Sequence, residues 1–308
     1  AQGGLAARVD GAPPGHVQFR FAARPGVCGN GRTYIQTSPG SYTGSFTTTT
    51  TTTSDGTIRT TDGCEPGPVR VLVDRAERQV IAVQAFVGPV TTMPGVTDLG
   101  VVPAQEAADY LLGLAARAEG RVGRDAIWAA MLADSAQTVE PLIAIARNQA
   151  LPRETRTRAL SYAGRGDRSP AIPARTVDAL LAVARDENDN LEVRRQAVRT
   201  LGALPHGAGI PRLIELAGQQ GSAWLAKEGM SALASSGDPR ARDFLRAAVR
   251  RDDLGDEALA VAVKALGQQY ATREDAALIR QVYPRLRSDR TRDAARAAVA
   301  EVGGAENV

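Results

Sequence analysis

The side chains able to act as acids, bases, nucleophiles or metal ligands are few in this chain and stand apart. Its two histidines, His16 and His206, are distant in sequence, so imidazole acid–base catalysis or a histidine-rich metal site has little to assemble from. His16 precedes a strand pattern and His206 sits in Pro205-His206-Gly207, and each reads as a solvated loop residue. Cys28 is a conceivable nucleophile, but the following Gly29-Asn30-Gly31 suits a turn, and pairing with Cys64 would remove the thiol. The same glycines lack the strand–glycine–helix context of a phosphate-binding loop. Asp186-Glu187-Asn188-Asp189-Asn190 has the acidity of a calcium loop without its glycine and its terminal bidentate glutamate, so a turn that caps the next helix accounts for it better. No residue is assigned a catalytic, cofactor-binding or metal-binding role, and no cofactor is expected.

A different set of residues lines up by spacing. A phrase made of a small residue, an aliphatic, two variable positions and an apolar residue, often followed by Gly, begins at Ala159, Ala197, Gly229, Ala262 and Ala298, at intervals of 32 to 38 residues. A period in that range marks a supersecondary unit that cannot bury its apolar face alone, so successive units stack and share a core. Two positions before the small residue stand Arg195, Lys227 and Arg296, and two positions after it stand Arg199 and Lys264. In stacked repeats equivalent positions form a ridge, and this one offers an acidic partner a line of cations. The competing reading is that these cations pair with acids of the next repeat, as Arg194 would with Asp189 or Glu192.

The elements that would carry the ridge are paired helices separated by Gly, Asp, Pro and Asn. The periodicity predicts them over 103–119 with 122–134, 137–148 with 152–164, 173–185 with 190–203, 208–219 with 222–235, 239–250 with 255–269, and 272–286 with 289–302. Trp128 and Trp224 fall among aliphatic residues in these helices and read as core. The segment Asp189-Asn190-Leu191-Glu192-Val193-Arg194-Arg195-Gln196-Ala197-Val198-Arg199-Thr200-Leu201-Gly202 resembles the second helix of a HEAT repeat, with its acidic cap, Val-Arg pair, small packing residue and Leu-Gly end. Residues 154–160, 255–267 and 289–303 echo it. The resemblance covers about two-thirds of the chain. It implies an α-solenoid that acts as an adaptor, scaffold or assembly subunit, and it brings no activity. Arg24 to Gly31, and Asp98 to Val102 leading into Ala107 to Leu112, look similar to a group of secreted bacterial HEAT-repeat proteins to which no activity is assigned.

The N-terminal part has a different grammar. His16-Val17-Gln18-Phe19-Arg20-Phe21 alternates with period two, Thr33 to Thr37 is a second strand, and Val69 to Val73 with Gln79 to Val87 flank a polar turn as a β-hairpin. These predict a small sheet or partial barrel of four or five strands. Cys28 and Cys64 both lie in this module. Pairing is favoured over two separate thiols of a cytosolic protein, and a disulfide implies an oxidising compartment. The Thr47 to Thr53 run has no apolar face to fix a register and reads as a loose or edge-paired loop, or as an O-glycosylated one. Domains follow: a flexible arm over 1–15, too rich in Gly, Ala and Pro to hold an element alone; the β domain over 16–90; a linker over 91–102; and the HEAT-like α-solenoid over 103–308. The fold class expected is therefore α+β and multidomain.

Composition narrows the function. The 37 basic and 34 acidic residues are interspersed, leaving no nucleic-acid footprint, and only Lys227 and Lys264 are lysines. No apolar run approaches the ~20 residues of a bilayer span, so direct membrane insertion is not expected. The first residues, Ala1-Gln2, look like the product of signal-peptide removal, which points to the periplasm or the exterior, with any membrane association through partners. The sequence reading is a non-enzymatic scaffold, an extrinsic subunit docked on a larger envelope complex of respiratory, photosynthetic or transport type. The alternative is a free periplasmic module that binds an acidic peptide, a polyanion or a glycan.

Overall fold

The computed structural model describes residues 4–38, 41–43, 49–52, 58–61, 64–77, 79–89, 93–118, 120–164, 172–218, 222–268 and 271–304. The chain divides into two compact units, 1–159 and 160–308. The fold is α+β, with strands toward the N-terminus and helical repeats after them.

The first unit is built on β1 (Gly15–Phe21), β7 (Val69–Ala76), β8 (Gln79–Val87) and β9 (Val96–Val101), in the order β8-β7-β1-β9. β1 runs antiparallel to β7 and parallel to β9. The alternation in β1 does what it implies: Val17, Phe19 and Phe21 are fully buried, against Val69, Val71 and Val73 of β7. The hairpin forms as expected, but β7 continues through Ala76, and Glu77 turns at a φ of 52°. β9 is a correction. It falls inside the expected linker, where Gly95, Gly100 and Pro94 break any periodic signal, and only the open edge of β1 turns the segment into a strand.

Two smaller sheets complete the strands: β2 (Cys28–Gly29), β3 (Ile35–Ser38) and β4 (Ser41–Thr43) in one, β5 (Thr49–Thr52) and β6 (Ile58–Thr61) in the other. The single small sheet expected is thus three sheets among the described residues. Four of the seven threonines make β5, edge-paired antiparallel with β6; Thr47, Thr48 and Thr53 lie outside the described residues. Cys28 and Cys64 form a disulfide, next to a backbone pair in which Gly29 N donates to Glu65 O at 3.0 Å and Glu65 N to Gly29 O at 2.9 Å. Gly29-Asn30-Gly31 is the expected turn. Asn30 Oδ1 accepts the backbone N–H groups of Arg32, Thr33 and Tyr34, and a Cβ on Gly29 would fall 2.4 Å from Val87 O, so only glycine lets this turn lie against the end of β8.

The N-terminal arm also departs from expectation. Residues Leu5–Gly11 form α1, with Leu5 and Val9 buried. The composition is indeed too weak to hold a helix alone; what holds it is α2 (Ala104–Ala115), whose Glu106 Oε1 accepts from Leu5 N at 2.6 Å. α2 meets the sheet's buried side through Tyr110, which lies edge-on to Phe19 at 5.8 Å between ring centroids. α3 (Gly120–Ala130) packs against β8, and α4 (Val139–Arg147) follows. The first helices therefore pack with the sheet, and the division by packing falls later than the change from strands to helices at 102–103.

The helix α5 (Arg153–Ala163) crosses the division. The second unit then holds four hairpins: α6 (Ala174–Arg185) with α7 (Leu191–Ala203), α8 (Ile210–Gly218) with α9 (Ala223–Ser236), α10 (Pro239–Ala248) with α11 (Asp256–Gly267), and α12 (Arg273–Val282) with α13 (Asp289–Gly304). Each matches its expected span, except that α9 runs one residue beyond 235 and α13 two residues beyond 302. The second helices α7, α9, α11 and α13 stack in that order, and the repeated phrase supplies the contact. Ala197, Val198 and Leu201, then Met230 and Leu233, then Ala262, Val263 and Leu266 are all at most 1 % exposed. The terminal glycines sit where neighbouring helices touch. A Cβ on Gly267 would fall 2.2 Å from Ala298 Cβ, and one on Gly202 3.2 Å from Ala232 O.

Candidate interaction surface

The second-helix face of the stacked hairpins is where the sequence placed its ridge, and the structure sorts those five cations into two kinds. On α7, Arg195 Nη1 reaches Glu192 Oε2 at 3.0 Å and its Nε reaches Glu228 Oε1, one repeat onward on α9, at 3.1 Å. On α9, Lys227 Nζ lies 2.7 Å from Glu257 Oε2 of α11, and Glu257 Oε1 is met from the far side by Arg290 of α13 at 3.4 Å. On α13, Arg296 bonds Asp293 and donates to Tyr283 Oη at 3.0 Å. Arg195, Lys227 and Arg296 are therefore spent within the array. The hydrogen bond that Arg195 donates to Glu228 raises its guanidinium above its ordinary pKa, and Lys227 holds the Glu257 carboxyl below its own.

Arg199 on α7 and Lys264 on α11 are different. Both are exposed, and neither has an ion-pair or hydrogen-bond partner among the described residues. They occupy the same repeat position two helices apart, and the intervening position on α9 is the exposed Ser231. With helices packed about 10 Å apart, the two cations stand on the order of 20 Å from one another on one face. A partner that meets both must be extended or broad, and must carry acids at a matching spacing.

The first helices have a ladder of their own. Arg212 of α8 pairs with Asp178 of α6 at 2.7 Å and with Glu215 at 3.2 Å, and Glu215 takes Arg185 of α6 at 2.6 Å. Between α10 and α12, Arg242 Nη2 and Arg246 Nε reach Asp275 at 2.5 and 2.7 Å, while Thr272 donates its N–H and hydroxyl to the same carboxylate in a capping box. Asp275 has no exposed side-chain surface. Burial pushes its carboxyl up, but the bonds from Arg246, Arg242 and Thr272 outweigh that and hold it far below the ordinary carboxylate range. Sequence reading missed this cluster, because its members are 29 to 33 residues apart and unremarkable where they stand.

Arg194 corrects a specific expectation. It does not pair with Asp189 or Glu192; its guanidinium lies 4.7 Å over the Trp224 ring, and its Nε donates to Ala184 O at 3.2 Å. Arg156 makes the equivalent bond to Ala146 O at 2.7 Å. Each stands three residues before the small anchor and cap the end of the preceding helix, where carbonyls lack partners and the dipole favours a cation. Their common offset from Ala159 and Ala197 was the available signal. Trp224 and Trp128 are half-buried, and the Trp224 Nε1 has no hydrogen-bond partner among the described residues.

Of the other candidates, His16 corrects the loop reading, because it stands in a strand, while the rest fall where turns and caps are needed. His16 lies in β1, its Nδ1 3.6 Å from Asp74 Oδ1, and His206 is exposed in a 3₁₀ turn at a φ of 56°. Asn190 caps α7 by accepting from Glu192 N at 3.0 Å, as the helix-capping reading of the acidic loop requires. Among the described residues no group of three or more His, Cys, Asp or Glu side chains is placed to hold a metal, and no helix is long and apolar enough to cross a membrane.

Comparison with known families supports the repeat reading. A family profile described as HEAT repeats matches residues 177–267, which take in α7 to α11 and most of α6. No curated protein matches the chain.

Proposed function

We propose that this chain, with its HEAT-like helical repeat region, is a non-enzymatic scaffold: an extrinsic subunit in the periplasm or at the outer face, docked on a larger membrane-bound envelope complex. HEAT repeats suggest a protein-interaction role, and the second-helix face supplies its chemistry. The observation that carries the reading is the contrast along the ridge. Arg195, Lys227 and Arg296 are paired with carboxylates of the array itself, whereas Arg199 and Lys264 repeat at equivalent positions with no carboxylate partner among the described residues. Such an arrangement steers and registers an acidic protein surface. The Cys28–Cys64 disulfide supports an oxidising compartment.

The test is isolation of the natively expressed protein from membranes in gentle detergent, with mass spectrometry of what accompanies it. A fixed set of subunits in constant ratio, lost in the Arg199→Glu, Lys264→Glu double variant, is the expected result. A compact lone protein in the soluble fraction would overturn it. The same two exposed cations also favour a second reading, a free module for an acidic peptide, polyanion or glycan. Steep salt dependence of that ligand's affinity, with no membrane subunits retained, would distinguish it.

A further inference from the structure

A cavity of about 860 Å³ opens in the first unit, between α1, the turn end of the β7–β8 hairpin, the C-terminal end of α2 and the start of α3. Its polar lining is Asp10, Arg75, Gln79 and Arg117, and Leu114 and Val122 are among its apolar walls. That size and mixture suit a small organic ligand.

Its charge is what selects the ligand. Arg75 is only 5 % exposed, and its guanidinium is held by neutral acceptors: Ala12 O, Asp10 O at 3.0 Å and Glu77 O at 3.2 Å. These bonds fix the group but leave its charge uncompensated, since no carboxylate lies within ion-pair distance among the described residues. Arg117 stands exposed at the rim, its Nη1 on Gly113 O of its own helix at 3.1 Å, and it too has no carboxylate partner among the described residues. Against these two cations the lining sets one acid among the described residues, Asp10. One turn before Leu114, Tyr110 is 6 % exposed and its hydroxyl is buried with no hydrogen-bond partner among the described residues. Burial pushes that phenol up to about 12, and it feels the charges of Asp10, Arg117 and Arg75, three residues of the lining. It is therefore a neutral donor in the range where proteins work.

We propose that this cavity binds a monocarboxylate with a compact apolar body, its head group held at Arg117 in the field of Arg75 and its body against Leu114 and Val122.

The experiment is calorimetric titration of the full chain at low salt with octanoate, phenylacetate and N-acetyl-leucine, each against its neutral amide. At least one acid should bind with a dissociation constant below about 1 mM, and its amide at least tenfold more weakly. Arg117→Ala should weaken the acid at least tenfold without moving the melting temperature of the unliganded protein, because Arg117 is exposed and bonded only within its helix. Ala118→Trp, at the edge of the cavity, should abolish binding. The proposal fails if none of the three acids binds, if acid and amide bind equally, or if affinity survives either substitution. Should Ala118→Trp not fold, Arg117→Ala and the acid–amide comparison decide the matter.

Discussion

Arg195 Nε and Glu228 Oε1 are 3.1 Å apart across two successive second helices, at residues 33 positions apart in the chain. The bond joins α7 to α9 at the repeat period, and Lys227 with Glu257 does the same between α9 and α11. Basic residues that look from sequence like one ridge are thus divided between internal ties and exposed cations.

The Arg195–Glu228 tie should be modest in energy. Arg195 is about a quarter exposed and Glu228 less, so a double-mutant cycle with Arg195→Ala and Glu228→Ala in urea should give a coupling of about 1 kcal/mol, falling with added salt. A coupling near zero would mean that register between α7 and α9 comes from apolar packing alone.

Asp275 should matter much more, because it is fully buried between Arg242 and Arg246. Asp275→Asn removes the buried charge that both guanidinium groups share, although Arg246 keeps the exposed Asp243 at 3.4 Å, and should cost about 3 kcal/mol at neutral pH. The carboxyl is depressed in the folded state, so its contribution is complete above the unfolded value near 4 and is lost as pH falls toward the folded one. Urea titrations from pH 7 to pH 2 should therefore show the gap between parent and variant narrowing only below about pH 4.

Gly267→Val tests the close approach of α11 to α13. The new Cβ would coincide with Ala298, so the helices must separate, at a cost of about 3 kcal/mol. Gly255→Val, at a position with open space around the Cβ, is the matched control and should cost less than half as much. Thermal melts of both variants measure the difference.

Reduction of the Cys28–Cys64 bond should destabilise the strand-rich part by about 3 to 4 kcal/mol, from the chain entropy released by opening a closure of 36 residues. Hydrogen exchange under reducing conditions should rise across β2 and β3 and leave α7 to α13 unaffected. Protection lost in the repeats as well would show that the two parts unfold together.

Charge reversal at Arg199 and Lys264 should leave stability within about 0.5 kcal/mol, as expected of exposed positions. It should still remove partner binding, mainly through a slower association rate. Stopped-flow association at two salt concentrations separates that effect from a loss of contact area.

Every helical hairpin was legible from periodicity, since Ala197-Val198-Leu201 and Ala262-Val263-Leu266 state locally which face of the helix is buried. The β1 face and the β7–β8 hairpin were legible for the same reason, as alternation and turn residues are local signals. Two segments were not. α1 exists because α2 offers Glu106 and an apolar surface to a segment too weak to nucleate, and β9 because β1 has an edge to fill. In both, the stabilising partner lies outside the segment.

The sequence by itself determined the repeat architecture, the cysteine pair and the ridge positions, all of which follow from residue type and spacing. Tertiary structure alone decided which cations of that ridge are paired, that Arg194 lies on Trp224, that Asp275 is buried between two arginines, and that Arg75 and Arg117 line one cavity. The reason is range. Helix and strand patterns are written within a few residues, whereas an ion's energy depends on which distant groups folding brings within a few ångströms and how much water it leaves between them.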